Sequence, residues 1–90
     1  MTDPNHVNQP LPTIHGNGTP ANVLFEQAIR VMDAARELSE ALVYAWPNGR
    51  DYYPQGPTTI RKAEAYWRRA QVEVARIKHD AEALASHCLR

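Results

Sequence analysis

The chain has 90 residues, and its ten lysines and arginines are balanced by ten aspartates and glutamates, which excludes the basic excess by which duplex-binding proteins release counterions. One cysteine, Cys88, allows no internal disulfide framework, no apolar run approaches the ~20 residues of a bilayer span, and the acidic, proline-rich start is not a secretory leader; a soluble protein of a reducing cytoplasm is expected. A single small domain of this size buries only about 60% of its unfolded surface, so its core is marginal and partner chains would help.

Residues 1–18 carry Pro4, Pro10 and Pro12 with Asn5, Asn8 and Asn17 among them, and only Val7, Leu11 and Ile14 are candidates for burial. Such a composition buries too little to offset ordering, so a disordered N-terminal arm is predicted, with Leu11 and Ile14 able to pin it across a neighbouring surface. His6 and His15 lack a cysteine or carboxylate at zinc-ligand spacing, and no metal is expected there. Thr19-Pro20 then reads as a helix start, because the threonine hydroxyl can take an orphan amide and proline at the first helical position loses nothing. The predicted first helix covers 20–45. Its residues Leu24, Ala28, Val31, Ala35, Leu38, Leu42 and Ala45 step by four and three as a heptad seam, with Arg30, Asp33, Glu37 and Glu40 on the opposite face. A second apolar strip, Phe25, Ile29 and Met32 with Val43 and Trp46 later, lies beside that seam.

The connector, 46–58, reads Trp46-Pro47-Asn48-Gly49-Arg50-Asp51-Tyr52-Tyr53-Pro54-Gln55-Gly56-Pro57-Thr58. Two helices need only a handful of linking residues, and this stretch spends its extra length on an Arg-Asp pair, two tyrosines and a tryptophan. Proline biases the residue before it toward extended backbone, so Trp46, Tyr53 and Gly56 are pushed out of the helical region and the loop is stiff.

Thr58 or Thr59 should cap a second helix over 59–88, whose seam is Ile60, Ala63, Trp67, Ala70, Val74, Ile77, Ala81, Leu84 and Cys88. The fold class is therefore all-α: an antiparallel helical hairpin over 19–90. Alanines in both seams permit close approach, and the acidic bias of helix one (Glu26, Asp33, Glu37, Glu40) is expected to meet the basic start of helix two (Arg61, Lys62, Arg68, Arg69) and its later Arg76 and Lys78. Phe25, Ile29, Met32, Val43, Tyr66 and Val72 would form an outer patch that a soluble monomer rarely leaves open, so a homo-oligomer is expected, a two-fold dimer forming a four-helix bundle or a higher assembly.

No Gly-x-Ser-x-Gly elbow, glycine-rich phosphate loop or His-Glu-x-x-His pair is present, and an enzyme is not expected. His79, Asp80, Glu82 and His87 read as a solvated helix end, since only His79 and Glu82 have metal-ligand spacing. Cys88 sits at a seam position and reads as a small buried side chain. The loop end holds the candidate ligand residues. Trp46, Tyr52, Tyr53 and Trp67 offer flat faces for a base; Arg50, Arg61, Arg68 and Arg69 offer forks for phosphate; Asp51 or Gln55 can read donors on a ribose or base edge. Thr58, Thr59 and the start of helix two add amides and a positive dipole end. The purely structural alternative has Trp46 and the tyrosines plugging the end of the bundle and Arg50 paired locally with Asp51.

The segment Pro47-Asn48-Gly49-Arg50-Asp51-Tyr52-Tyr53-Pro54-Gln55, followed by an alanine- and arginine-rich helix, resembles small phage and prophage proteins that carry a Gly-Arg-Asp-Tyr-Tyr turn before a long helix. In layout the chain is also similar to phage anti-CBASS and anti-Thoeris sponges, small helical oligomers that sequester cyclic nucleotides or cyclic ADP-ribose isomers. That resemblance implies an anti-defence protein of the host cytoplasm that holds a nucleotide-derived immune signal, with no cofactor; the loop's own chemistry puts the pocket where residues 50–55 of one protomer meet the start of a helix two, at an oligomer interface. The alternative is a protein-interaction module, an inhibitor or assembly factor, that docks through loop and arm on a host or phage protein. Neither reading involves duplex DNA or a membrane.

Overall fold

A computed structural model describes residues 9–89 and shows two long helices, α1 over Ala21–Tyr44 and α2 over Thr59–Cys88, folded back on each other. At 24 and 30 residues they are rods of about 36 and 45 Å. Their bounds lie within a residue of those read from periodicity, because proline and glycine leave few other places to stop. Neither start is capped as predicted. The Pro20 backbone is extended at φ −59° and ψ 148°, and its own carbonyl accepts from the amides of Val23 and Leu24 at 3.0 and 3.1 Å, so Thr19 falls outside the helix and caps nothing. Thr58 is already in helical conformation and its side chain makes no cap bond, while the Thr59 hydroxyl turns back to the Gln55 carbonyl at 3.4 Å.

The seam between the helices is narrower than its sequence pattern. On α1 the buried residues are Ala28, Ala35 and Leu42, every seventh position; on α2 they are Val74, Ala81 and Cys88, again every seventh, with Ala85. Ala35, Leu42 and Val74 form the central cluster, and Trp67 and Ala70 pack against it. The alternate seam residues Val31 and Leu38 stay 44% and 49% exposed. With alanines on the contact line, one partner helix covers the first position of each heptad and leaves the fourth at the edge of the interface. Four of the seven buried apolar residues are alanines, so little apolar surface leaves water.

The expected charge pairing between helices does not form. The ion pairs among the described residues lie within one helix: Asp33 with Arg36 at 3.8 Å, and Arg76 with both Glu73 and Asp80. The cause is the one visible in the pattern, since the carboxylates of α1 lie opposite its seam and point away from α2.

Residues 9–20 have no helix or strand and run along the last turns of α2. Gln9 Nε2 donates to the Asp80 carbonyl, and His87 Nε2 donates to the Pro12 carbonyl at 2.6 Å. This part of the arm is held by polar contacts, not by Leu11 and Ile14, which remain exposed, and His87 is half-buried beneath it instead of standing in solvent. The expectations for Val7 and His6 lie outside the described residues.

The hairpin is long for its mass. Its radius of gyration is 18.0 Å where a compact chain of this length has about 12 Å. No helix among the described residues is long and apolar enough to cross a membrane.

Candidate functional site

The connector consists of two short 3₁₀ turns, Gly49–Asp51 and Tyr53–Gln55. Asn48 starts the first: its Oδ1 accepts from the Arg50 backbone amide at 2.9 Å and from Arg50 Nε at 3.3 Å. An asparagine bonding two residues ahead is a local turn device, and it fixes the root of the Arg50 side chain. The turns close through Tyr52 N to Gly49 O at 3.1 Å and Gln55 N to Tyr52 O at 2.9 Å. Gly56 then takes φ 107°, a conformation that side chains rarely adopt, and so redirects the chain into α2.

One aromatic residue of the connector, Trp46, meets the third turn of α2, where two more rings lie. The Arg68 guanidinium lies 5.7 Å from the Trp46 ring centroid, and that of Arg69 lies 5.9 Å from the Tyr66 ring. Tyr66 in turn meets Trp67 edge-on, with centroids 5.8 Å apart. Each guanidinium on a ring face is an electrostatic contact of about 0.5–1 kcal/mol at an exposed site, and it also limits where the fork points.

Of the residues proposed from sequence, Trp46, Tyr52 and Thr59 are half-buried, while Arg50, Asp51, Tyr53, Gln55, Thr58 and Arg61 are exposed. Arg50 does not pair with Asp51; Asn48 holds it instead, because a three-residue turn aims neighbouring side chains apart. Tyr53 is 76% exposed and plugs nothing, which leaves the plug role to Trp46 and Tyr52. Asn48 and Tyr66 belong to this end of the molecule and were not among the candidates. The Asn-x-Arg spacing carried the signal for Asn48, whereas Tyr66 read as part of an apolar patch. No side chain caps the start of α2; the Thr59 amide donates to the Gly56 carbonyl at 3.5 Å and the Lys62 amide to that of Thr58 at 3.2 Å.

Two further features lie away from the loop. On one face between the helices a trough of about 410 Å³ is floored by Ala28, Val31, Ile77 and Leu84, with Gln9 and Asp80 at its rim. Through Val31 and Ile77 it joins a second hollow of about 230 Å³ lined by Ala34, Leu38 and Val74. Arg76 borders the trough, bonded to Glu73 Oε1 through Nε at 3.0 Å and to Asp80 Oδ2 through Nη1 at 2.8 Å. The bond to Glu73, with Asp80 adding, holds its guanidinium above the ordinary arginine value. On the outer side of α2, Ala65, Arg68, Arg69 and Val72 line a shallow depression of about 390 Å³. No group of three or more histidine, cysteine, aspartate or glutamate side chains able to hold a metal occurs among the described residues. Comparison of the chain with protein families, with curated proteins and with solved structures gave no match.

Proposed function

We propose that the protein is a non-enzymatic, homo-oligomeric binding protein that sequesters a small nucleotide-derived signal at the loop end of its hairpin. The observation that carries this reading is that the cations of the loop and the first half of α2, Arg50, Arg61, Lys62, Arg68 and Arg69, have no ion pair among the described residues, and that two of them sit on the rings of Trp46 and Tyr66. Guanidiniums bind phosphate through paired N–H groups, and exposed Tyr53 offers a face to a base. The positive dipole end at the start of α2, which no side chain caps, favours the same anion. Cyclic dinucleotides and cyclic ADP-ribose isomers combine both features, and sequestering one of them in an infected cell would make this an anti-defence protein of phage type. Asp51 and Gln55 would then read polar edges, with Thr58 and Thr59 beside the phosphate.

Thermal unfolding with a panel of such nucleotides is the test. A ligand at a hundredfold excess over its dissociation constant stabilises by about 2.7 kcal/mol, and the double variant Arg50→Ala with Tyr53→Ala should abolish the shift while leaving the helices folded. No shift with any cyclic nucleotide or cyclic ADP-ribose isomer would remove the reading. The second reading, a protein-interaction module, is favoured by the open apolar trough along the helices, which such a nucleotide would not fill.

A further inference from the structure

The first half of α2 carries its cations on the side turned away from α1. At about 100° per residue, Ala65 and Val72 share one line along that side, with Arg61 and Arg68 on one flank of it and Lys62 and Arg69 on the other. Ala65, Arg68, Arg69 and Val72 line the outer depression of about 390 Å³, and Val72 is 65% exposed. Two rings hold the guanidiniums to their own flanks, Trp46 at 5.7 Å from Arg68 and Tyr66 at 5.9 Å from Arg69, so the line between them stays open. Glu64 is the one carboxylate within 59–72, and none of the four cations has an ion pair among the described residues. We propose that this face docks an acidic amphipathic helix of a partner protein, with its aliphatic residues seated on Ala65 and Val72 and its carboxylates on the two rows of cations. The proposal goes beyond the nucleotide reading and does not rest on it: the two share Arg61, Arg68 and Arg69, but the apolar line belongs to this surface alone.

Spacing selects a helix. Arg61 and Arg68 are seven residues apart, as are Lys62 and Arg69, and seven residues of helix rise about 10.5 Å. Cations at that repeat on both sides of an apolar line are one half of a heptad interface, whose other half has carboxylates at the flanking positions. From Arg61 to Val72 the face runs about 17 Å, so the partner contributes about three turns.

Charge and the exposed valine select an acidic protein segment among possible anions. A nucleic-acid strand pairs its phosphates with the cations, yet it offers no aliphatic side chain to the line between them, and the chain as a whole is neutral. A second copy would bring the outer side of α1. There Arg30 stands among Glu26, Asp33 and Glu37, and Asp33 is already held by Arg36 at 3.8 Å, so its acidic row is broken. A foreign helix with unbroken carboxylate rows meets both flanks at once.

The probe is a synthetic helix of about three heptads with Leu at a and d and Glu at e and g, whose own carboxylates repel self-pairing. Fluorescence anisotropy of the labelled peptide with the full chain at about 50 mM salt should show binding, and the same peptide with Lys in place of every Glu should not bind. Val72→Gln should weaken binding about tenfold, and Arg68→Glu with Arg69→Glu by more than tenfold, with helicity unchanged by circular dichroism. The lysine peptide should in turn bind the Arg68→Glu, Arg69→Glu protein better than the acidic one does, a reversal that a folding defect cannot mimic. Arg50→Ala with Tyr53→Ala, which removes the nucleotide reading, should leave peptide binding as it was, so the two readings fail separately. No binding of the acidic peptide at about 100 µM, equal binding of the lysine peptide, affinity unchanged by Val72→Gln, or no reversal with the charge-swapped protein overturns the proposal. Tighter binding of a single-stranded oligonucleotide than of the acidic peptide overturns it in favour of nucleic acid, and self-association that Val72→Gln abolishes overturns it in favour of a second copy.

Discussion

Leu42 is the largest aliphatic side chain in the buried cluster, and replacing it with alanine measures how far the hairpin depends on that cluster. Fully burying a leucine stabilises by about 1.5–3 kcal/mol, and core Leu→Ala changes cost about 2–5 kcal/mol once the cavity is included. Leu42 retains 8% exposure and lies at a cluster whose other members are Ala35 and Val74 with Ala70 and the half-buried Trp67 against them; a site so close to solvent can partly collapse, and the lower end of the range, about 2–3 kcal/mol, is expected. Set against the ~5–13 kcal/mol typical of a chain of this length, that is a large fraction, and at about 4–8 °C per kcal/mol it lowers Tm by roughly 8–24 °C. Leu38 is the internal control. It is 49% exposed on a single chain, so Leu38→Ala should cost about 1 kcal/mol at dilutions where the protein is monomeric. Urea unfolding followed by circular dichroism measures both costs. A Leu42→Ala cost below about 1 kcal/mol would show that the seam does not hold the hairpin together.

Gly56→Ala should destabilise by about 1–3 kcal/mol in thermal unfolding, since φ 107° with ψ 165° is backbone that only glycine adopts readily, whereas Gly49→Ala, with open space at its Cβ position, should stay within about 0.5 kcal/mol. Asn48→Ala removes the acceptor of two Arg50 donors and should cost about 1 kcal/mol; on the nucleotide reading it also weakens ligand binding without changing helix content, which isothermal titration would show. Arg68→Ala should leave Trp46 less shielded, raising quenching of its fluorescence by acrylamide, with little change in Tm. The charge on Arg76 should contribute no pH dependence from neutrality to mild alkali. Its raised value places the linked stability below the unfolded arginine value, to be lost only as pH climbs through the folded one, and a flat Tm across that window checks it.

The two helices and their hairpin pairing were legible in the sequence because three signals agree there: the heptad steps, the prolines that bracket the connector, and the absence of glycine and proline inside either run. Burial was legible only in part. Periodicity names a stripe, but it does not say how many neighbours will cover it, so Val31 and Leu38 read as seam beside Ala35 and Leu42 although only the latter two are buried. The loop's content was legible and its geometry was not. Arg50 and Asp51 are adjacent and opposite in charge, which invites a pair, yet in so tight a turn a backbone-directed asparagine two residues earlier reaches Arg50 more easily. The contacts of Gln9 and His87 with partners 71 and 75 residues away left no local trace at all.

The alanines on the contact line connect these observations. A small residue at the centre of each heptad draws α1 and α2 close, and close helices cannot also enclose the bulkier residues at the next seam position, so Val31, Leu38 and Ile77 are turned outward together along one face. The same close pairing leaves the carboxylates of α1 and the cations of early α2 on separate outer surfaces, because neither set lies where the helices touch. Apolar surface and charge are thereby segregated. The trough carries the first, the loop end carries the second, and a variant on one surface should leave the behaviour of the other unchanged beyond what small shifts in stability produce.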